Sequence, residues 1–158
     1  MKGIFSVLVE NRDGVLSAIA GLFARRGFNI DSLAVGETDN HEISSMTIVS
    51  TGDQRTIEQI EKQLNKKIDI IKVRRLSEAH SVCLEMMLVK VNCTAVNRAS
   101  LLELCQITGA KIMKAAPKYL LLEYHGEPES VDDFIHLLKS CGSILELQRT
   151  GAIAMDKS

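Results

Sequence analysis

The sequence predicts an α+β protein made of two tandem βαββαβ units of ferredoxin-like topology. Three observations carry that prediction. Apolar runs of strand length and amphipathic stretches of helix length follow one another as β, α, β, β, α, β from Ile4 to Leu76. The same order recurs, with little residue identity, from Val82 to Thr150. Between the two lies Ser77-Glu78-Ala79-His80-Ser81, a polar stretch without periodicity, which sets the expected domains at residues 1–77 and 78–158. Two small units account for the 158 residues better than one. Each alone has a thin core and open sheet edges, so pairing with a second copy, at least a homodimer, is expected.

The elements follow in order. Ile4 to Val9 is a short apolar run between Gly3 and the turn Asn11-Arg12-Asp13-Gly14, the pattern of a buried strand. Val15, Leu16, Ile19, Leu22 and Phe23 then form one apolar helical stripe. Asp13 is the expected N-cap, Arg25 and Arg26 suit the last turn, and Gly27 suits a left-handed stop. Strands are expected at Ile30 to Thr38 and Ile43 to Ser50, around the turn Asp39-Asn40-His41. Thr51-Gly52-Asp53 opens a second helix on Ile57, Ile60 and Leu64, with Glu58 and Lys62 spaced for an i,i+4 pair, before a strand from Ile68 to Leu76. In the second half, strands are expected at 82–91, 111–115, 119–124 and 144–150, and helices at 98–108 and 128–141.

Bulk properties narrow the function. A net charge of −1, with charges of both signs interspersed, argues against a nucleic-acid partner. No apolar run reaches the roughly 20 residues of a membrane helix, and Met1-Lys2-Gly3 leads straight into strand-like sequence, so a cytoplasmic protein is expected. The four cysteines, at 83, 93, 105 and 141, lack metal or redox spacing and read as reduced, mostly buried small hydrophobes. His41, His80, His125 and His136 lie in different elements with no nucleophile placed beside them, and no phosphate-binding glycine motif is present. Met86-Met87 reads as core filling. Lys66, Lys67, Lys72, Arg74 and Arg75 read as a solvated edge or partner surface.

One place in the chain has the chemistry to hold a small zwitterion. A helix start carries unpaired N–H groups and partial positive charge, so it attracts a carboxylate. Gly14 at that start admits a ligand close to the backbone, and Asn11 offers a donor and acceptors. Asn29, just past the helix stop, would face this turn if two copies paired through the helix and its neighbouring strand. A plain capped turn for Asn11 to Gly14, and a simple continuation of the turn for Asn29, are the competing readings. A small enzyme on this fold would need an acid, base or nucleophile set that does not present itself.

The run Leu8-Val9-Glu10-Asn11-Arg12-Asp13-Gly14-Val15-Leu16, followed by Leu22 to Leu33 with Arg26-Gly27-Phe28-Asn29-Ile30-Asp31 at its centre, closely resembles the amino-terminal ACT domain of acetolactate synthase (acetohydroxyacid synthase) small regulatory subunits. The resemblance extends through Met46-Thr47-Ile48-Val49 and Leu88-Val89-Lys90-Val91 to Arg149-Thr150-Gly151. It implies an ACT amino-acid-binding regulatory domain at 1–77 and the C-terminal ferredoxin-like domain of the small subunit at 78–158. It also implies a non-catalytic role in branched-chain amino acid biosynthesis: activation of a thiamine-diphosphate-dependent large catalytic subunit, and feedback inhibition by valine. Carried over by position, Asn11, Gly14, Val15 and Leu16 of one chain with Asn29 and Ile30 of another would form the effector site. The resemblance implies no catalytic residue and no metal ligand here, with thiamine diphosphate, magnesium and flavin belonging to the catalytic partner. The equivalent turn of the second half, Asn92 to Arg98, departs from the pattern because it lacks the Asp-Gly helix entry. A free-standing ACT-domain sensor acting on another metabolic enzyme is the alternative.

Overall fold

In the computed structural model, which describes residues 1–158, the first unit runs β1 (Lys2–Glu10), α1 (Val15–Arg26), β2 (Ser32–Glu37), β3 (Ile43–Thr51), α2 (Gln54–Asn65), β4 (Ile70–Leu76). After a short 3-10 turn at Glu78–His80, the second unit runs β5 (Ser81–Asn92), α3 (Arg98–Thr108), β6 (Lys111–Ala115), β7 (Tyr119–Gly126), α4 (Pro128–Cys141), β8 (Ile144–Arg149). A further strand, β9 (Ile153–Asp156), follows. Both expected βαββαβ series are present, in antiparallel sheets of equivalent order, β2-β3-β1-β4 and β6-β7-β5-β8. Even the irregularities correspond. The first strand shifts register against the last at Leu8/Val9 in one unit and at Lys90/Val91 in the other.

Strand alternation decides which side chains meet the helices. In the first unit Phe5, Val7 and Val9 of β1, with Met46 and Ile48 of β3, pack under Ile19, Leu22 and Phe23 of α1 and Ile57, Ile60 and Leu64 of α2. The second core repeats the plan with Met87, Val89 and Val91, Leu120 and Leu122, beneath Leu101, Val131, Phe134 and Leu138. Met86, by contrast, faces outward and is 43% exposed, so only Met87 fills the core. Cys93 and Cys105 are buried, whereas Cys83 and Cys141 are half-buried. In the second unit Arg149 anchors the end of β8, donating to both carboxylate oxygens of buried Glu85 at 2.7 and 2.8 Å and to Asp132 at 2.7 Å. These bonds, Glu85 foremost, hold the guanidinium protonated more firmly than usual.

The compact units are Met1–Cys83 together with Ala152–Ser158, and Leu84–Gly151. After Gly151, which turns the chain at φ +79°, the C-terminal segment rejoins the first unit. Ala152 is buried there in a small cluster with Ile4, Val49 and Leu76, which β1, β3 and β4 present on the side away from the main core. Its N–H donates to Ser32 Oγ at 2.8 Å, the Ala154 N–H donates to Thr47 Oγ1 at 3.3 Å, and Asp156 pairs with Arg74 at 2.9 Å. Elsewhere Glu58 accepts from Gln54 at 2.9 Å in place of the expected pairing with Lys62.

A chain ending at Gly151 uncovers Ile4, Val49 and Leu76 and leaves the Ser32 and Thr47 hydroxyls without those partners. It is expected to unfold in urea with stability lower by about 2–4 kcal/mol. An unchanged midpoint would contradict the role given to β9.

Candidate functional site

Helix α1 is the one helix entered through a left-handed glycine. Its N-cap is Gly14, in the left-handed region at φ +85°, and no side chain caps it. Asp13 is therefore not the cap that the spacing suggested, because the left-handed glycine takes the position next to the helix and puts Asp13 one residue outside it. The comparison with α2 is direct. There Asp53 accepts from the Thr56 N–H at 2.7 Å, a bond that also holds the Asp53 carboxyl below the usual carboxylate range.

At α1 the Val15 N–H makes only a long bond of 3.5 Å to the Arg12 carbonyl, and Ala18 starts the regular ladder by donating to Gly14 at 2.9 Å. The N–H groups of Gly14, Leu16 and Ser17 have no acceptor in the chain. They are a row of donors at the positive end of a helix dipole. A Cβ built on Gly14 meets nothing within 4 Å, so the approach to these donors is open. Val15 is buried in the core and offers only backbone, while the Leu16 side chain is 46% exposed beside the open donors.

Asn11 is tied to the β2–β3 hairpin. Its Nδ2 donates to Glu37 Oε1 at 3.2 Å and to the His41 carbonyl at 2.8 Å, and its N–H donates to the Glu42 carbonyl at 2.8 Å. Both amide hydrogens are spent, which leaves Oδ1 as an acceptor. Arg12 pairs with Asp69, fixing the outer side of the turn.

At the other end of α1, Gly27 stops the helix at φ +67°, and the Phe28 N–H donates to the Phe23 carbonyl at 2.9 Å. The stop is the expected one. Asn29 Nδ2 donates to Asp31, whose other carboxylate oxygen accepts from Thr51 Oγ1 at 2.6 Å, and the Asn29 carbonyl accepts from Ser50 Oγ at 2.5 Å. Asn29 Oδ1 is left free, as are the N–H and C=O of Ile30, which precedes the β2 ladder. The spacing had marked Asn29 but not the Asp31–Thr51 bonds that orient it.

Within one chain these groups do not come together. Gly14 and Asn29 flank a 12-residue helix, so roughly 18 Å of helix separates them. In the second unit the corresponding turn is held by a side chain and not opened by a glycine. Asn97 precedes α3, and its side chain accepts from the Thr94 N–H at 2.7 Å while donating to the carbonyls of Asn92 at 3.0 Å and Cys141 at 3.2 Å. The departure seen in the sequence thus corresponds to a turn bonded through Asn97, although the N–H groups of Ala99 and Ser100 stay without an acceptor as those of Leu16 and Ser17 do.

A βαββαβ unit with an open glycine entry to its first helix, followed by a second unit of the same topology, defines the class of the chain: an ACT-domain protein of the regulatory type. Residues 5–72 match the family described as AHAS small subunit-like ACT domain, and residues 84–158 match that described as small subunit of acetolactate synthase. The chain belongs to the family of acetolactate synthase small subunits. It is 45% identical over 155 residues to the probable acetolactate synthase small subunit of Methanothermobacter thermautotrophicus, covering 98% of this chain and 92% of that one. It is 41% identical to the acetolactate synthase small subunit of Haemophilus influenzae, covering 99% and 96%. The crystal structure of the acetolactate synthase small subunit from Thermotoga maritima superposes with a TM-score of 0.91, at 36% identity, covering 100% of this chain and 98% of that one. Subunits of this family are regulatory, and catalysis is by the large subunit.

The two helix starts make opposite predictions. Asp53→Ala is expected to lower the melting temperature, because a Thr56 N–H loses its acceptor, and Asp13→Ala to leave it unchanged. Thermal unfolding followed by circular dichroism checks both, and destabilisation by Asp13→Ala would return that residue to a capping role.

Proposed function

We propose that this chain binds a branched-chain amino acid, valine in the first instance, between the ACT domains of a homodimer, and that it activates the large catalytic subunit of acetolactate synthase and makes it valine-sensitive. The observation that carries the reading is the set of unpartnered N–H groups on Gly14, Leu16 and Ser17. They suit the effector's carboxylate. Acceptors for its ammonium are the free Oδ1 atoms of Asn11 and Asn29 and the carbonyl of Ile30, and the half-exposed side chains of Leu16 and Ile30 suit the isopropyl group.

A two-fold axis brings the halves together. β2 is an edge strand with a partner on one side only. Antiparallel pairing of β2 and α1 with their copies sets the start of one α1 near the end of the other, so Asn11, Gly14, Val15 and Leu16 of one chain meet Asn29 and Ile30 of its partner. A two-fold pair repeats the site twice. The thiamine diphosphate, magnesium and flavin of the reaction are assigned to the catalytic subunit. No group of three or more His, Cys, Asp or Glu side chains in this chain is placed to hold a metal ion. No helix is long and apolar enough to cross a membrane, and a cytoplasmic location suits a biosynthetic subunit.

Feedback is then a difference in effector affinity between two arrangements of the complex. Gly14→Asp places a carboxylate on the donor row, where it repels the effector's own. Calorimetric titration of the dimer is expected to show valine affinity reduced by about tenfold or more, the loss of one charge-assisted contact. Activation of the catalytic subunit persists in that variant. Asn29→His is expected to act in the same direction by size. Unchanged valine affinity in both variants would move the effector elsewhere, and acetolactate formed by the isolated chain would contradict a regulatory role.

A further inference from the structure

We propose that Arg25, Arg26 and Arg55 form a docking surface for an acidic segment of the catalytic subunit, coupled to the effector through Phe28. The three arginines, with Phe28 and Gln59, line an open basin of about 600 Å³. No carboxylate lines it. Arg12, Arg74 and Arg149 each meet a carboxylate, whereas Arg75 and Arg98, which also lack one, do not share a basin with other arginines. Arg25, Arg26 and Arg55 form no ion pair at all.

Arg25 and Arg26 stand in the last turn of α1, where the dipole favours cations, but two features oppose the arrangement in the isolated chain. The three guanidinium groups share one basin and repel one another. Arg55 also stands in the first turn of α2, where the helix dipole favours anions and disfavours cations. The nearby carboxylate, Asp53, is committed to the Thr56 N–H and does not line the basin. Both costs are relieved when an anion occupies the basin. The whole chain carries a net charge of only −1, so the basin is a local feature and not a sample of a basic surface.

The shape selects a protein partner over a small anion. Sites for small ligands are concave and enclose most of the ligand. Here five side chains from the end of α1 and the start of α2 border open space, with no enclosing wall. A loop carrying Asp or Glu can enter it and continue beyond its rim. Guanidinium forks match carboxylates in pairs, and such charges raise association rates and select partners.

The basin also adjoins the effector half-site proposed above, and this part of the inference rests on that reading. Phe28 is half-buried, its ring edge-on to Phe23 at 6.0 Å between centroids, and the next two residues are Asn29 and Ile30. An effector that fixes Asn29 and Ile30 therefore biases a wall of the basin. Affinity for the catalytic subunit and for the effector are then linked in both directions.

The test titrates the cognate catalytic subunit with the wild-type chain and with Arg25→Gln/Arg26→Gln/Arg55→Gln at low and high salt, reading association and activation. Valine binding by each isolated dimer is measured in parallel. The triple variant is expected to associate about tenfold more weakly and to lose most of the salt dependence that the wild type displays. Its valine affinity is expected to stay unchanged, and the corresponding triple lysine variant to retain more of the association. Equal association and an equal salt slope for wild type and glutamine variant would overturn the proposal. So would loss of valine binding in that variant, which would assign the arginines to the effector instead. A wild-type dimer that binds no valine would overturn the effector reading alone, because association with the catalytic subunit still decides the docking surface.

Discussion

The first helix starts with amide groups that its own chain leaves unsatisfied, and the candidate site depends on that omission. Glycine in a left-handed conformation makes it possible, since φ +85° at Gly14 turns the chain into the helix without a side chain at the entry. The neighbouring contacts hold the turn in place while leaving the donors open. Asn11 is bound to the hairpin, Arg12 to Asp69, and Val15 to the core. A rigid frame around unfilled donors is what a binding site needs, because the ligand then meets groups already oriented.

The duplicated unit gives an internal comparison of the same fold with a different helix entry: α3 also lacks a side-chain cap, but Asn97 and not a left-handed glycine precedes it. At the second helix entry Asn97 satisfies the turn from within, bonding Thr94, Asn92 and Cys141. Sheet order, register shift and helix-facing core are otherwise shared. The shared fold and the differing helix entry are thus separable here, and the proposed effector site draws only on residues at the two ends of α1.

Much of this was legible in the sequence, because the signals were local. The helical stripe of Ile19, Leu22 and Phe23, the glycine stop at 27 and the apolar runs of strand length each act within a turn or two, and such signals yielded both βαββαβ series. Asp13 misled because aspartate before a glycine reads as an N-cap, and only the backbone angle of Gly14 shows that the cap position lies one residue later. β9 was missed for a different reason. Ile153-Ala154-Met155-Asp156 is too short for a periodic signal, and what holds it is pairing with β5 and contacts with Thr47 and Arg74 far away in the chain, next to Ala152 on Ile4 and Ser32. The basin of Arg25, Arg26 and Arg55 was hidden for the same reason, as spacing cannot place α1 and α2 side by side. The residues of the proposed effector site were visible, but their division between two ends of one helix was not.

The central claim is that the open amides at the start of α1 receive the effector's carboxylate while the far end of a partner's α1 completes the site. Residue-resolved amide hydrogen exchange of the dimer, with and without valine, tests it most directly. The account predicts slowed exchange at Gly14, Leu16, Ser17 and Ile30, with no comparable change at the turn before α3. Protection confined to other residues, or none at the α1 entry when valine is bound, would contradict it.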